Sequence, residues 1–249
     1  MNLDLVLSGA ALWQPEIGGP SEEPEIPAGI DPRTVRRSTR LGRIALAVAS
    51  EALTRAALDP APEDTALVVG TALADLDETA GFLGGIHARG ARFASPQFFQ
   101  RSVHGAVAGE LAILLALRGY NLTVSEGMRS GEAALAAAIL AVQAGRAPRA
   151  LVVAIDGRSE ALSAALNALG LPDEAGEGAA ALVVETAADA ARRGAPVLAA
   201  LGGVNPSMAP GFSSGRHGAS GLCDVARYAL GESPAAPASV ALTVSPKKS

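Results

Sequence analysis

Residues 121–156 read NLTVSEGMRSGEAALAAAILAVQAGRAPRALVVAID. A short strand runs into a tight turn, an alanine-rich helix follows, and a second, strongly apolar strand closes the segment. That layout puts position 128 at the mouth of a helix, facing the positive end of its dipole. A cysteine in such a place has its thiol pKa lowered and is a good nucleophile. The chain carries Met128 instead. A thioether has no proton to lose, so a scaffold suited to covalent catalysis lacks its reactive atom.

The other chemistry-bearing residues are few. In GMRSG the serine falls one position late for a GxSxG nucleophile elbow, which leaves Ser130 as an exposed first-turn residue or a displaced nucleophile. The three histidines, His87, His104 and His217, are scattered without a ligand partner at i+3 or i+4, so no metal site is expected. His217 sits in SSGRHGASGLCDVARYAL, a small-residue turn before a helix. That setting suits a structural histidine, or one that holds an anion or an acyl carbonyl. Cys223, the one cysteine, lies a turn and a half into the same helix and reads as a buried small hydrophobe. There is no GxxxxGK[ST] loop and no GxGxxG after a strand, so nucleotide binding has no support and no cofactor is expected.

The elements that must position these residues follow from hydrophobic period and punctuation. Strands are predicted over residues 3–8, 65–71, 121–125, 150–155, 179–184, 197–204 and 239–244. Helices are predicted over 41–58, 77–89, 103–118, 187–193 and 215–230, besides the alanine-rich helix after Met128. Residues 95–99 form a short aromatic segment, and 18–32 and 172–178 are loops. Strands alternate with helices and several are apolar on both faces, the signature of an α/β domain with a central sheet covered on both sides.

Of the 249 residues 49% are apolar but only 3% aromatic, so the core is built from small side chains with backbones close together. The net charge of -5 and a pI near 5.3 argue against nucleic acid or an anionic membrane as partner. The longest apolar stretch, residues 133–142, is about half of the ~20 needed to cross a bilayer. The cluster Arg33, Arg36, Arg37, Arg40 and Arg43 reads as a solvated helix start or as a docking patch for an acidic partner. With one cysteine no intramolecular disulfide can form, and a reducing cytoplasm is the expected compartment. The N-terminal MNLDLVLSGAALW carries Asp4 where a signal peptide would want a basic residue, and reads as a first strand.

Three segments carry a family resemblance. VRRSTRLGRIALAVASEAL resembles the early helix of β-ketoacyl synthases. SPQFFQRSVHGAVAGELAILLALRGYNLTVS is similar to the segment that leads into their nucleophile, and PDEAGEGAAALVVET to their glycine-rich turn and following strand. All three stand in family order. The resemblance implies a thiolase-like layered α-β-α-β-α sandwich, here one ketosynthase-like domain over 1–249, with an N-terminal-half-like part at 1–186 and a reduced C-terminal half at 187–249.

The departures bear on function. Ketosynthases place cysteine where this chain has Met128 and a small residue where it has Arg129, and neither HGTGT nor NxFGFGG occurs here. His217 stands weakly for the second family histidine, without the lysine that precedes it. Decarboxylative condensation needs an acyl-carrying thiolate and donors for the enolate and the thioester oxyanion. The resemblance therefore implies no catalytic residues, but a chain-length-factor-type subunit of the kind found in aryl polyene and other type II polyketide systems. Such a subunit pairs with an active ketosynthase in a heterodimer, meets the acyl carrier protein through that complex, and shapes the acyl tunnel. On this reading Phe98, Phe99, Met128, Arg129 and His217 line the pocket. His104, Asn121, Leu122, Thr123, Val124 and Ser125 belong to the dimer interface, with the helix over 103–118. The alternatives are a thiolase-fold enzyme with displaced chemistry on Cys223 and His217, or a scaffold that binds an acyl chain or the carrier protein.

Overall fold

The computed structural model describes residues 4–16, 21–170, 176–205 and 217–244. Residues 18–20 and 172–175 of the two predicted loops, and residues 213–216 ahead of His217, lie outside the described residues.

The described strands form one sheet of seven, β1 (Leu5–Trp13), β2 (Ala66–Gly70), β3 (Asn121–Val124), β4 (Arg149–Asp156), β5 (Gly178–Thr186), β6 (Ala199–Val204) and β7 (Val240–Val244), in the order β3-β2-β4-β5-β1-β6-β7. β3, β2 and β4 are parallel to one another; β5 runs antiparallel to β4 and β1, and the remaining pairs are antiparallel. The helices are α1 (Pro32–Val35), α2 (Arg40–Arg55), α3 (Leu76–Arg89), α4 (Pro96–Ser102), α5 (Ala106–Leu114), α6 (Ser130–Gln143), α7 (Glu160–Ala168), α8 (Ala187–Arg192) and α9 (Ser220–Leu230).

Side chains alternate across the strands, so each face of the sheet has its own core. Val68, Val152, Leu182 and Val184 point toward α6 and α9, where Leu135, Ala138, Leu222 and Val225 cover them. Leu67, Val69, Leu151, Val153 and Val183 point toward α2 and α5, against Ile44, Val48, Ala52 and Leu111. The apolar spacing read in the sequence over 41–58 is the stripe that α2 buries, and Thr39 starts that helix by accepting from the Gly42 N–H at 3.2 Å. Helices cover both faces of this one sheet, as the sequence predicts, and with it make up three of the five layers of an α-β-α-β-α sandwich among the described residues. After β5 the chain adds β6 and β7 to the edge of the sheet beyond β1 and lays α9 over the α6 face.

Several local expectations are corrected. β1 runs on to Trp13, because it pairs with β5 along its whole length from Leu5 opposite Thr186 to Trp13 opposite Ala179. The aromatic segment at 95–99 is helix α4, which Ser95 caps by accepting from Phe98 N–H at 3.4 Å. The single helix expected over 103–118 is shorter: Val103 is extended, α5 begins at Ala106, and Ala116 at φ 53 follows its end. A helix absent from the sequence reading, α7, is capped by Ser159, whose hydroxyl accepts from Leu162 N–H at 2.9 Å. No helix among the described residues is long and apolar enough to cross a membrane.

At the end of the sheet away from the Met128 turn, Glu185 of β5 is fully buried and grips Arg193 through two bonds, Nε to Oε2 at 3.0 Å and Nη2 to Oε1 at 2.5 Å. The same guanidinium donates to the Ala56 carbonyl at the end of α2 and reaches Ser8 of β1 at 3.4 Å. Removing the cation strands a carboxylate in the core. Arg193→Ala should lower the unfolding free energy by about 3 kcal/mol, read from urea denaturation midpoints, and replacing both partners by methionine should restore much of the loss. A loss below roughly 1 kcal/mol, the range of exposed ion pairs, would rule this role out.

Candidate functional site

The carboxyl ends of the parallel strands β2, β3 and β4 meet at one end of the sheet, the place where open α/β sheets hold their ligands. β3 leaves through Ser125 into a turn whose Gly127 has φ 57, a left-handed conformation that favours glycine. Ser130 fastens the turn. Its hydroxyl accepts from the Glu126 N–H at 3.0 Å and donates to the Gly127 carbonyl at 2.7 Å. The sequence reading took Ser130 as an exposed first-turn residue. It is fully buried, because the first turn of α6 rests directly on Gly70 of β2, and the two bonds inside the turn satisfy its hydroxyl there.

Met128 is half-buried at the head of α6, and Arg129 is exposed at the helix N-cap position, where its side chain makes no capping bond. Arginine has no acceptor to offer there. The Gly218 carbonyl takes the Gly131 N–H instead, at 2.8 Å. The turn that contains His217 thus caps α6 from outside. It is held in turn by Asp156 at the end of β4, whose carboxylate accepts from the Thr71 hydroxyl at 2.8 Å, from the Ala72 and Leu73 N–H groups at 3.0 and 3.1 Å, and from Gly218. Burial pushes the Asp156 carboxyl above the usual aspartate range, and these hydrogen bonds pull it back only in part.

His217 itself is 3% exposed. Its ring lies over Gly178 at the start of β5, its Nε2 is 3.2 Å from Gln14 Nε2, and its backbone N–H donates to the Ser220 hydroxyl at 2.8 Å. Nearby, Glu177 accepts from Arg40 at 2.8 Å and from the Arg158 N–H at 3.2 Å. Burial alone would raise the Glu177 carboxyl, but bonds from Arg40, Ser21 and Arg158 outweigh it and hold it below the usual range.

Of the residues singled out in the sequence, Met128, Arg129 and the His217 turn are joined through the Gly131–Gly218 bond. Phe98 and Phe99 lie apart from them, exposed on α4, with the Phe99 ring tilted against that of Phe82 at 5.5 Å between centroids. Phe99 lines an open groove of about 1190 Å³ with His104, Thr71, Asp75, Val103 and Ile113; Met128, Arg129 and His217 do not line it. Asn121, Leu122, Thr123 and Val124 form β3, the edge strand, and Ser125 follows it, exposed. Cys223 is fully buried in α9. The described residues contain no group of His, Cys, Asp and Glu able to hold a metal ion. The sequence reading missed Asp156, although an aspartate ending an apolar strand was a visible signal.

The raised folded-state pKa of Asp156 fixes the sign of a pH effect. Its contribution to stability is full below the ordinary aspartate value of about 3.9 and is lost as pH rises through the folded value. Asp156→Ala orphans several donors and should cost about 1–3 kcal/mol. That deficit relative to wild type should be largest in mild acid and shrink toward neutral pH in urea titrations; a deficit that grows with pH would contradict the assignment.

The model of the beta-ketoacyl synthase N-terminal domain matches residues 23–170, more than half of the chain. None of the curated proteins matches the sequence. Among solved structures the chain is similar to a type II polyketide ketosynthase in complex with its acyl-carrier protein, AntDE:AntF, with a TM-score of 0.70 and 20% identity over 81% of this chain and 67% of that one. It is similar to the ishigamide ketosynthase/chain length factor, at TM-score 0.66 and 20% identity over 82% of this chain and 64% of that one. It is also similar to the ketosynthase ApeO in complex with its chain length factor ApeC from Xenorhabdus doucetiae, at TM-score 0.52 and 23% identity over 64% and 62%. The chain thus spans about two thirds of the length of these relatives, and at such identities the likeness is one of fold. The matched domain, the turn at the head of α6 and the layered sheet together place the chain in the beta-ketoacyl synthase family.

Proposed function

We propose that the protein is a non-catalytic, chain-length-factor-like member of its family that pairs with an active β-ketoacyl-ACP synthase and shapes the tunnel for the growing chain in polyketide or fatty-acid-type biosynthesis. The observation that carries this reading is the head of α6. The turn is built in full, with Gly127 at positive φ and the Ser130 hydroxyl committed at both ends, yet position 128 presents a thioether. A condensing enzyme needs a thiolate there and polar donors around it. His217, the one histidine joined to this turn, is packed under Gly178 rather than open to an incoming ester.

Pairing is supported by the relatives themselves, two of which are ketosynthase and chain-length-factor combinations, while a third binds an acyl-carrier protein. It is supported too by the position of β3 at the end of the sheet, where its outer edge pairs with no strand among the described residues. The reading implies a cytoplasmic, reducing setting. Displaced chemistry on Cys223 and His217 is disfavoured, because the thiol is fully buried among Leu222, Val225 and Ala226.

Where the neighbouring reading frame encodes a ketosynthase with an intact active-site cysteine, co-expression with it should give a stable complex. Intact-mass analysis after incubation with acyl-carrier thioesters should show no acyl adduct on this chain, and native Cys223 should resist iodoacetamide. Met128→Cys should fold but yield no condensation product on its own. A partner-free preparation, wild type or variant, that turned over a thioester would sink the reading.

A further inference from the structure

On the face of the sheet opposite α6, the second half of α2, the end of α5 and the loop at 24–30 enclose a cleft of about 770 Å³. That is the size of a small-molecule site. Its floor is apolar, with Leu53 buried and Ile30, Leu114 and Leu115 packed against the α2 core. Pro24 and Pro27 restrict the backbone of its outer wall. Just ahead of them Glu23 pins the loop by taking two bonds from Arg43, at 2.7 and 2.9 Å. A wall fixed in advance lowers the ordering cost of binding.

Every charge in that wall has one sign. Glu25, Glu51 and Asp59 line the cleft, and among the described residues no Arg, Lys or His does. Glu51 is paired with Arg55, whereas Glu25 and Asp59 form no ion pair among the described residues. The neutral groups agree. α5 ends at the cleft with no basic residue in its last turn, so the negative end of its dipole is uncompensated there. The Arg118 N–H, next in line for the Leu114 carbonyl, donates to Glu63 instead at 2.8 Å, after Ala116 turns the chain at φ 53. The Ser50 hydroxyl oxygen is buried with no hydrogen-bond partner among the described residues, a cost that a polar group in the cleft would relieve. Carboxylates, an open helix end and a hydroxyl suit a cation that donates hydrogen bonds. No aromatic ring lines the cleft, so it lacks the cage that a quaternary ammonium needs.

We infer that this cleft binds a primary alkylammonium, with its N–H groups toward Asp59, Glu25 and Ser50 and its chain along Leu53, Leu114 and Ile30. The site is independent of the proposed pairing, since the sheet lies between the cleft and the helix that carries the Met128 turn. The test is isothermal calorimetry on the full chain with octylammonium, octyltrimethylammonium, octanol and octanoate. Octylammonium should bind at least tenfold tighter than octyltrimethylammonium or octanol, and octanoate should not bind. Asp59→Asn with Glu25→Gln should weaken octylammonium about tenfold, the scale of two partly exposed ion pairs. Glu160→Gln removes an exposed carboxylate on α7, away from the cleft, and should leave affinity unchanged. Ala47→Phe fills the cleft and should abolish binding while the circular dichroism spectrum stays that of wild type. Asp59 and Glu25 are exposed, so their variants test the site even should Ala47→Phe fail to fold. Equal affinity for octylammonium and octanol would overturn the role of the carboxylates. Affinity unmoved by the Asp59 and Glu25 exchanges would overturn the location, and a wild-type chain that takes up no octylammonium would overturn the site itself.

Discussion

Everything at the head of α6 depends on how closely two helices lie on the sheet. At Gly70 of β2 a Cβ would strike the Ser130 carbonyl and crowd the Ala134 methyl at 3.1 Å. At Gly9 of β1 it would strike the Ala52 carbonyl and lie 2.8 Å from the Ala56 methyl. Helix backbone therefore rests on strand backbone at both places, and no larger residue fits without lifting the helix. The alanine-rich, aromatic-poor composition follows from this approach. So does the site: α6 touches β2 through its first turn, and the height of the Met128 turn above the strand ends is set at Gly70.

The opposite side of that first turn is closed by the short C-terminal part of the chain. Gly131 packs against Leu222, and Gly221 lies against the Glu132 carboxylate with no space for a side chain. The Gly218 carbonyl supplies the cap that Arg129 cannot, while Asp156 holds the Gly218 turn in place. A family member that spans about two thirds of its relatives' length thus still buries α6 on every side but that of Leu140 and Gln143. The strands β6 and β7 widen the existing sheet, and α9 covers the helix face that would otherwise be bare.

Which features were legible in the sequence follows from which forces decided them. The strand–turn–helix–strand around Met128 and the stripe of α2 were readable because apolar periodicity alone settles them. The length of β1 was hidden, since Gly9, Ala10 and Ala11 carry little strand signal and the pairing with β5 supplies the rest. The break between α4 and α5 was hidden for a similar reason: Val103, His104 and Gly105 interrupt an apolar run through backbone conformation, not through composition. At the site, residue types were visible but their company was not. The His217 turn and Asp156 lie about 61 positions apart in sequence, and Gly218 ties them together, its N–H bonding to Asp156 while its carbonyl accepts from Gly131.

That wiring makes the shape of the turn independent of the side chain at 128. Its conformation is set by Gly127, by the two bonds of the Ser130 hydroxyl and by the outside cap from Gly218, none of which involves the side chain at 128. A cysteine there would add reactivity and no rigidity. Methionine there leaves every bond that shapes the turn in place, and its three rotatable bonds let it fill irregular apolar space. Arg129 departs more sharply, since a cation at a helix N-terminus works against the dipole. With Met128 half-buried and Arg129 exposed, the head of α6 presents a thioether and a cation above the ends of the parallel strands.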